Sequence, residues 1–384
     1  MKNITKKLCA AITLMLAFAP APTIAQQTRL LAHDVSFPHS FGYVGGIRVL
    51  SDGSVLVADP LGQVLVSLNM EAGSADTLGR VGGGPQEYRQ PDAVFPLPGD
   101  STLLTDLGNA RLTVIAPNGT FGETRPIARG GETGRLTIVL PRFTDSLGRI
   151  YYQHETFAAN GPADSAVIMR VDMLSGELDS LGAVMLSPVE RRRVGGRVML
   201  SRWPLRLRDD WAAGSDGSVA IVHAEDYSVE WIYADGRTVR GPSNDFERVR
   251  VGREEKEAWL ENQAVASIAV RAMMSASGER SMQFSRGGGR PSRGIDTYEW
   301  PDEMPPFQTR RSRVTPDGEL WVERYGSAGS APVVDVFDAR GVRIAEVQLP
   351  PRSRVVGFGE GTVYLVRTDE LDLQWLQVYR VVDD

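Results

Sequence analysis

Ser51-Asp52-Gly53-Ser54-Val55-Leu56-Val57-Ala58-Asp59 reads as a tight turn feeding a strongly apolar strand. Asp and Gly set the turn, and the Val-rich run suits a strand buried on both faces. The pattern returns at residues 98–106 around Asp100, 145–154 around Gly148, 215–223 around Gly217, 316–324 around Gly318 and 359–367 around Gly361. A further strand follows most copies and ends in its own turn. Residues 64–68 run to Gly73, 111–115 to Asn118-Gly119, 167–171 to Ser175-Gly176, 229–233 to Asp235-Gly236 and 333–337 to Arg340-Gly341. A fourth strand, such as residues 343–347, closes the unit.

The turns at 53, 100, 148, 217, 318 and 361 are spaced by 47, 48, 69, 101 and 43 residues. Four-stranded units of this length, repeated radially, predict an all-β, six-bladed β-propeller. The two wide gaps predict insertions at about 187–208 and 247–308. A helix is expected at 254–277, between blades 4 and 5. Glu254, Glu255 and Glu257 suit its first turn and Gly278 its end. The last unit has three strands, so residues 29–37 are expected to supply the fourth and close the ring.

Lys2, Lys6 and Lys7 precede an apolar stretch at 8–20 and a small-residue site at Thr23-Ile24-Ala25. Residues 1–25 therefore read as a signal peptide, leaving 26–384 as a single domain in the periplasm or outside the cell. Cleavage removes the only Cys and moves the formal charge from −6 to −9. A disulfide-free, acidic chain must rely on its core, and it lacks the basic footprint of a nucleic-acid binder. No membrane span is expected after cleavage.

Gly79-Arg80-Val81-Gly82-Gly83-Gly84-Pro85-Gln86-Glu87-Tyr88, then Pro91, Asp106, Asn109 and Arg111, resembles an NHL repeat. The ring as a whole is similar to bacterial exported six-bladed propellers of the NHL and TolB-like kind. The resemblance is clear over residues 42–121 and rests on strand pattern elsewhere. It implies a fold shared by binding modules, lyases and lactonase relatives, rather than one activity.

The second strand of each unit ends on an ionisable residue: Asp59, Asp106, His154, His223, Arg324 and Arg367. Asp and His ligands beside Arg can form a divalent-metal and anion site, with Asp59, Asp106, His154 and His223 on the metal side. The opposing reading makes the two Asp turn anchors. Arg89, Arg142, Arg310, Arg311, Arg352 and Arg354 fall where the innermost strands begin, a clustering suited to an anionic ligand. Both insertions are expected on that face, as a cap. No Walker, Gly-x-Ser-x-Gly or His-Glu-x-x-His pattern is present. The reading is an exported binding protein presenting a capped face to a small anionic ligand or an envelope protein. The alternative is a metal-dependent lyase or lactonase-like enzyme at the channel mouth.

Overall fold

The computed structural model describes residues 27–130, 136–158, 161–194, 197–266, 268–274, 280–286 and 294–383. The leader expected at 1–25 lies outside them. The turn-plus-strand repeats become antiparallel four-stranded sheets in a propeller-like arrangement. The first runs Gly46–Val49, Val55–Asp59, Val64–Asn69, Ser74–Thr77 from inside to outside. The second begins with Pro91–Pro96, the third with Pro141–Thr144 and the fourth with Asp210–Ala213. An eight-stranded sheet follows. One half runs from Arg313–Val314 out to Arg343–Gln348. The other runs from Ser353–Gly359 through Gln374–Asp383 to the N-terminal strand Gln27–Ser36. That strand pairs antiparallel with Gln374–Asp383 from Arg29↔Asp383 to Ser36↔Gln377, and joins the halves through three parallel pairs with Arg343–Gln348. Arg29 also makes a bidentate ion pair with Glu319, at 2.6 and 2.8 Å.

The core lies between the sheets. Leu56 and Leu65 pack on Leu104 and Ile115; Leu103 and Leu112 on Ile150 and Tyr152; Tyr151 and Ile168 on Trp211 and Ile221. Tyr227 and Trp231 pack on Leu320 and Phe337, and Trp321 and Val336 on Val363 and Leu365. Val356, Val366 and Leu376 then meet Val57 and Val66 of the first sheet. Each sheet is thus covered on both faces, which is why Val55–Asp59 is buried throughout. Each large apolar side chain so buried contributes about 1.5–3 kcal/mol. The turn glycines allow this repetition: Gly53 and Gly217 sit at φ 83° and 87°, where a side chain would be strained.

One expectation needs correction. The helix spans Arg253–Ala266, and Ile268–Met274 is a strand paired with Arg280–Arg286. An apolar run such as 264–274 fits a helix or a covered strand equally, and here a partner strand decides it. The stretch expected as an insertion at about 187–208 carries a hairpin, Val189–Val194 with Arg197–Arg202. Unanticipated are a small hairpin, Ala128–Gly130 with Leu136–Ile138, and the length of the third sheet's central strands, Ile150–Ala158 and Gly161–Val171. No helix among the described residues is long and apolar enough to cross a membrane.

Candidate functional site

The innermost strands begin on one face, and there the insertions enclose a cavity of about 640 Å³. Its floor is basic. Arg311 and Arg313 come from the start of the eight-stranded sheet, Arg310 from the residue before them, and Arg354 from Ser353–Gly359. Arg208 precedes the fourth sheet, and Arg286 ends the hairpin that follows the helix. The wall comes from the helix, with Glu255, Trp259 and Asn262, and from Tyr325 and its loop. A small satellite core of Leu205, Val249 and Met304, flanked by Trp259, Trp300 and Tyr325, holds this wall in place. Glu255 fastens the helix by accepting the amides of Gly252 and Ala328 at 3.0 and 3.2 Å, which lowers its pKa.

The hairpin is latched across the ring. The side-chain amide of Gln90 donates to the Arg286 carbonyl at 3.0 Å and accepts its N–H at 2.9 Å. The Arg286 guanidinium reaches the buried Asp92, with Nη2 3.0 Å from Oδ2. Arg354 donates to the Val44 carbonyl at 2.6 Å and to Gln374 Oε1 at 3.1 Å. Arg310 and Arg311 have no carboxylate at ion-pair distance among the described residues. Arg310 also stands at φ 65°, a strained conformation of the kind found at functional sites.

Crowding of like charge marks the cavity. Desolvation, then the guanidiniums around it, pulls Arg310 down to about 10. Arg313 and Arg354 fall to about 10 for the same two reasons. All three stay cationic at neutral pH, held together at an electrostatic cost that a bound anion removes. Beneath them Glu323 is buried and shifted up by that burial, with Oε1 taking the Gln308 amide at 2.9 Å. Tyr43 is flanked by Arg286 and Arg354, whose guanidinium carbons lie 5.2 and 5.1 Å from its ring centre. Burial raises its pKa, but Arg354, Arg286 and Arg311 outweigh that and lower it overall. Burial pushes Tyr325 up to about 12.

The residues anticipated from sequence divide. Arg310, Arg311 and Arg324 line the cavity, and so does Arg354. Arg324 is tied to Glu346 at 2.9 Å and to Asp335 at 3.5 Å. Arg142 bonds Asp210 at 2.9 Å and lies over Trp211, so it is absorbed into the wall between the third and fourth sheets. Arg89 and Arg367 do not line the cavity. Asp59 accepts the amides of Gly42, Tyr43, Leu61 and Gly62 at 2.7 to 3.1 Å. Asp106 accepts those of Arg89 and Gln90 at 3.1 Å and the Asn109 side chain at 2.7 Å. Asn109 and Arg111 in turn grip the loop Gly82 to Glu87, so the NHL-like residues serve the fold. His223 is engaged by Glu230 at 3.0 Å, and His154 lies within a longer strand opposite Val167. Among the described residues no group of three or more His, Cys, Asp or Glu is placed to hold a metal ion. The carboxylates of Asp59 and Asp106 are thus engaged by backbone and side-chain donors, and the His223 ring by Glu230.

Sequence reading missed Tyr43, Arg286 and Trp259, whose partners lie far along the chain. The arginines at the starts of innermost strands were the signal that led to the cavity.

No protein-family model matches the chain, and no curated protein matches it. Solved structures do. A gluconolactonase of Xanthomonas campestris is 11% identical with TM-score 0.41, over 93% of this chain and 96% of that one. A calcium-binding protein, regucalcin, of Agrobacterium tumefaciens is 12% identical with TM-score 0.37, over 92% and 97%. A virginiamycin B lyase of Staphylococcus aureus is 11% identical with TM-score 0.31, over 92% and 98%. These are similarities of backbone arrangement, and the activities named belong to those proteins.

Proposed function

We propose that this chain is an exported, six-bladed propeller of the NHL-like kind that binds a small anionic ligand in the arginine-lined cavity. The six-bladed reading takes the eight-stranded sheet as two blades joined at Gln27–Ser36, each with its own packed interface. The observation that carries the binding reading is the pair Arg310 and Arg311, open to the cavity and without a carboxylate partner among the described residues. Guanidiniums left free in a concave site match the planar forks of carboxylates and phosphates. Titration calorimetry with citrate tests this: saturable 1:1 binding that weakens steeply with salt supports it. Heats indistinguishable from dilution overturn it.

A second reading is an enzyme of the lyase or lactonase type in the same cavity. It is favoured by two phenols, Tyr43 and Tyr325, displaced in opposite directions by their surroundings. Its metal-dependent form lacks a ligand set among the described His, Asp and Glu.

A further inference from the structure

We propose that Tyr43 and Tyr325 form an acid–base pair that cleaves a carboxylated sugar by β-elimination, with the cavity arginines holding the carboxylate. The proposal rests on the anion-binding reading above and adds the substrate class and the reaction. Tyr43 lies between Arg286 and Arg354, and its hydroxyl has no hydrogen-bond partner among the described residues. Facing it are four cations, Arg354 from the last repeat, Arg286 from the hairpin and Arg311 and Arg313 from the fifth, and one anion, Asp92. Asp92 is already bound by Arg286, so the balance of charge lowers the Tyr43 pKa and eases its loss of a proton. Tyr325 lines the same cavity and stays protonated up to about 12, as a general acid requires. Two like groups pushed apart by environment is the arrangement that separates an acid from a base.

The remaining wall suits a sugar acid. Trp259 offers an aromatic face, Asn262 offers an amide to hydroxyls, and about 640 Å³ holds a short saccharide. In the reaction the Tyr43 phenolate takes the proton from the carbon bearing the carboxylate. The electron pair of that C–H bond becomes a C=C bond as the C–O bond on the adjacent carbon breaks. The leaving oxygen takes its proton from Tyr325. An unsaturated acid and a free hydroxyl result, and both phenols re-equilibrate with water, so no oxidant or cofactor enters. The negative charge that develops on the carboxylate is met by guanidiniums already in place.

The test uses the purified protein with oligogalacturonates and alginate oligosaccharides. Two readouts run together: calorimetric binding, and the ultraviolet absorbance of the conjugated unsaturated acid. The expected result is binding with turnover, lost at least ~100-fold in Tyr43→Phe and in Tyr325→Phe while the dissociation constant stays within about threefold. Circular dichroism checks that both variants fold. Oligouronate binding with no new absorbance overturns the elimination and leaves the anion reading standing, as does citrate binding with no oligouronate binding. Unchanged turnover in Tyr43→Phe also overturns it. Absence of binding to citrate and oligouronates alike overturns the anion reading itself.

Discussion

Arg142 donates to Asp210 with Nη2 2.9 Å from Oδ1, while Arg310 and Arg311, nearby on the same face, have no such partner among the described residues. The three arginines were equivalent as sequence positions at the starts of innermost strands. What separates them is Asp210, which is buried and also takes the Ser312 N–H at 3.1 Å. Burial alone would raise its pKa, but Arg142 and the donated amides lower it. One arginine is thereby built into the wall, and its neighbours are left facing the cavity.

Arg142→Ala should therefore act on stability. It leaves Asp210 buried without its cation and removes the stack on Trp211. A loss of about 3 kcal/mol is expected in urea denaturation, because breaking a buried pair strands its partner. Citrate affinity should change little once the variant is folded.

Arg311→Met should do the opposite. No ion pair within 4 Å is lost, and the reduced repulsion on Arg313 and Arg354 offsets the loss of the cation that most lowers the pKa of buried Glu323. Stability should hold within about 0.5 kcal/mol or rise. Citrate affinity should fall about 10-fold or more, the scale of one charge-assisted hydrogen bond. Melting and calorimetry on the same preparation separate the two effects.

The repeat pattern made most of the sheets legible. Alternating turns and apolar runs specify antiparallel neighbours, and a three-stranded last unit asks for a partner such as Gln27–Ser36. Ile268–Met274 was not legible, because its pairing with Arg280–Arg286 is a tertiary fact that an apolar run does not encode. The basic half of the site was visible as arginines at equivalent positions. Tyr43, Arg286 and Trp259 were not, since their convergence depends on how the insertion folds back over the ring.

The two aspartates and the histidine should respond differently to substitution. Asp59→Ala strands the amides of Gly42, Tyr43, Leu61 and Gly62 and should cost about 2 kcal/mol or more. Asp106→Ala should cost a similar amount by releasing Arg89, Gln90 and Asn109. His154→Ala should stay within about 0.5 kcal/mol. Chemical denaturation with and without a chelator checks this; a chelator-sensitive midpoint would restore the metal reading.

Alkaline pH should remove the stability held by the buried phenols. Burial pushes Tyr151 and Tyr325 up to about 12, and Tyr227 is raised as well. A phenol whose folded pKa exceeds its unfolded value of about 10 contributes stability that is complete below that value. The contribution is lost as pH rises through the folded value. Arg310, Arg313 and Arg354, depressed to about 10, act in the opposite direction over the same range. The phenol contribution is therefore read as the difference between wild type and Tyr325→Phe, flat around neutrality and falling above about pH 10. Tyr325→Phe should make the fall shallower.

Citrate titration of the wild type beside the double variant Arg310→Ala/Arg311→Ala tests the anion site most directly. Saturable wild-type binding, weakened at least ~100-fold in a double variant that melts like the wild type, is the expected result. Equal affinity in the two proteins, or no binding to either, would contradict it.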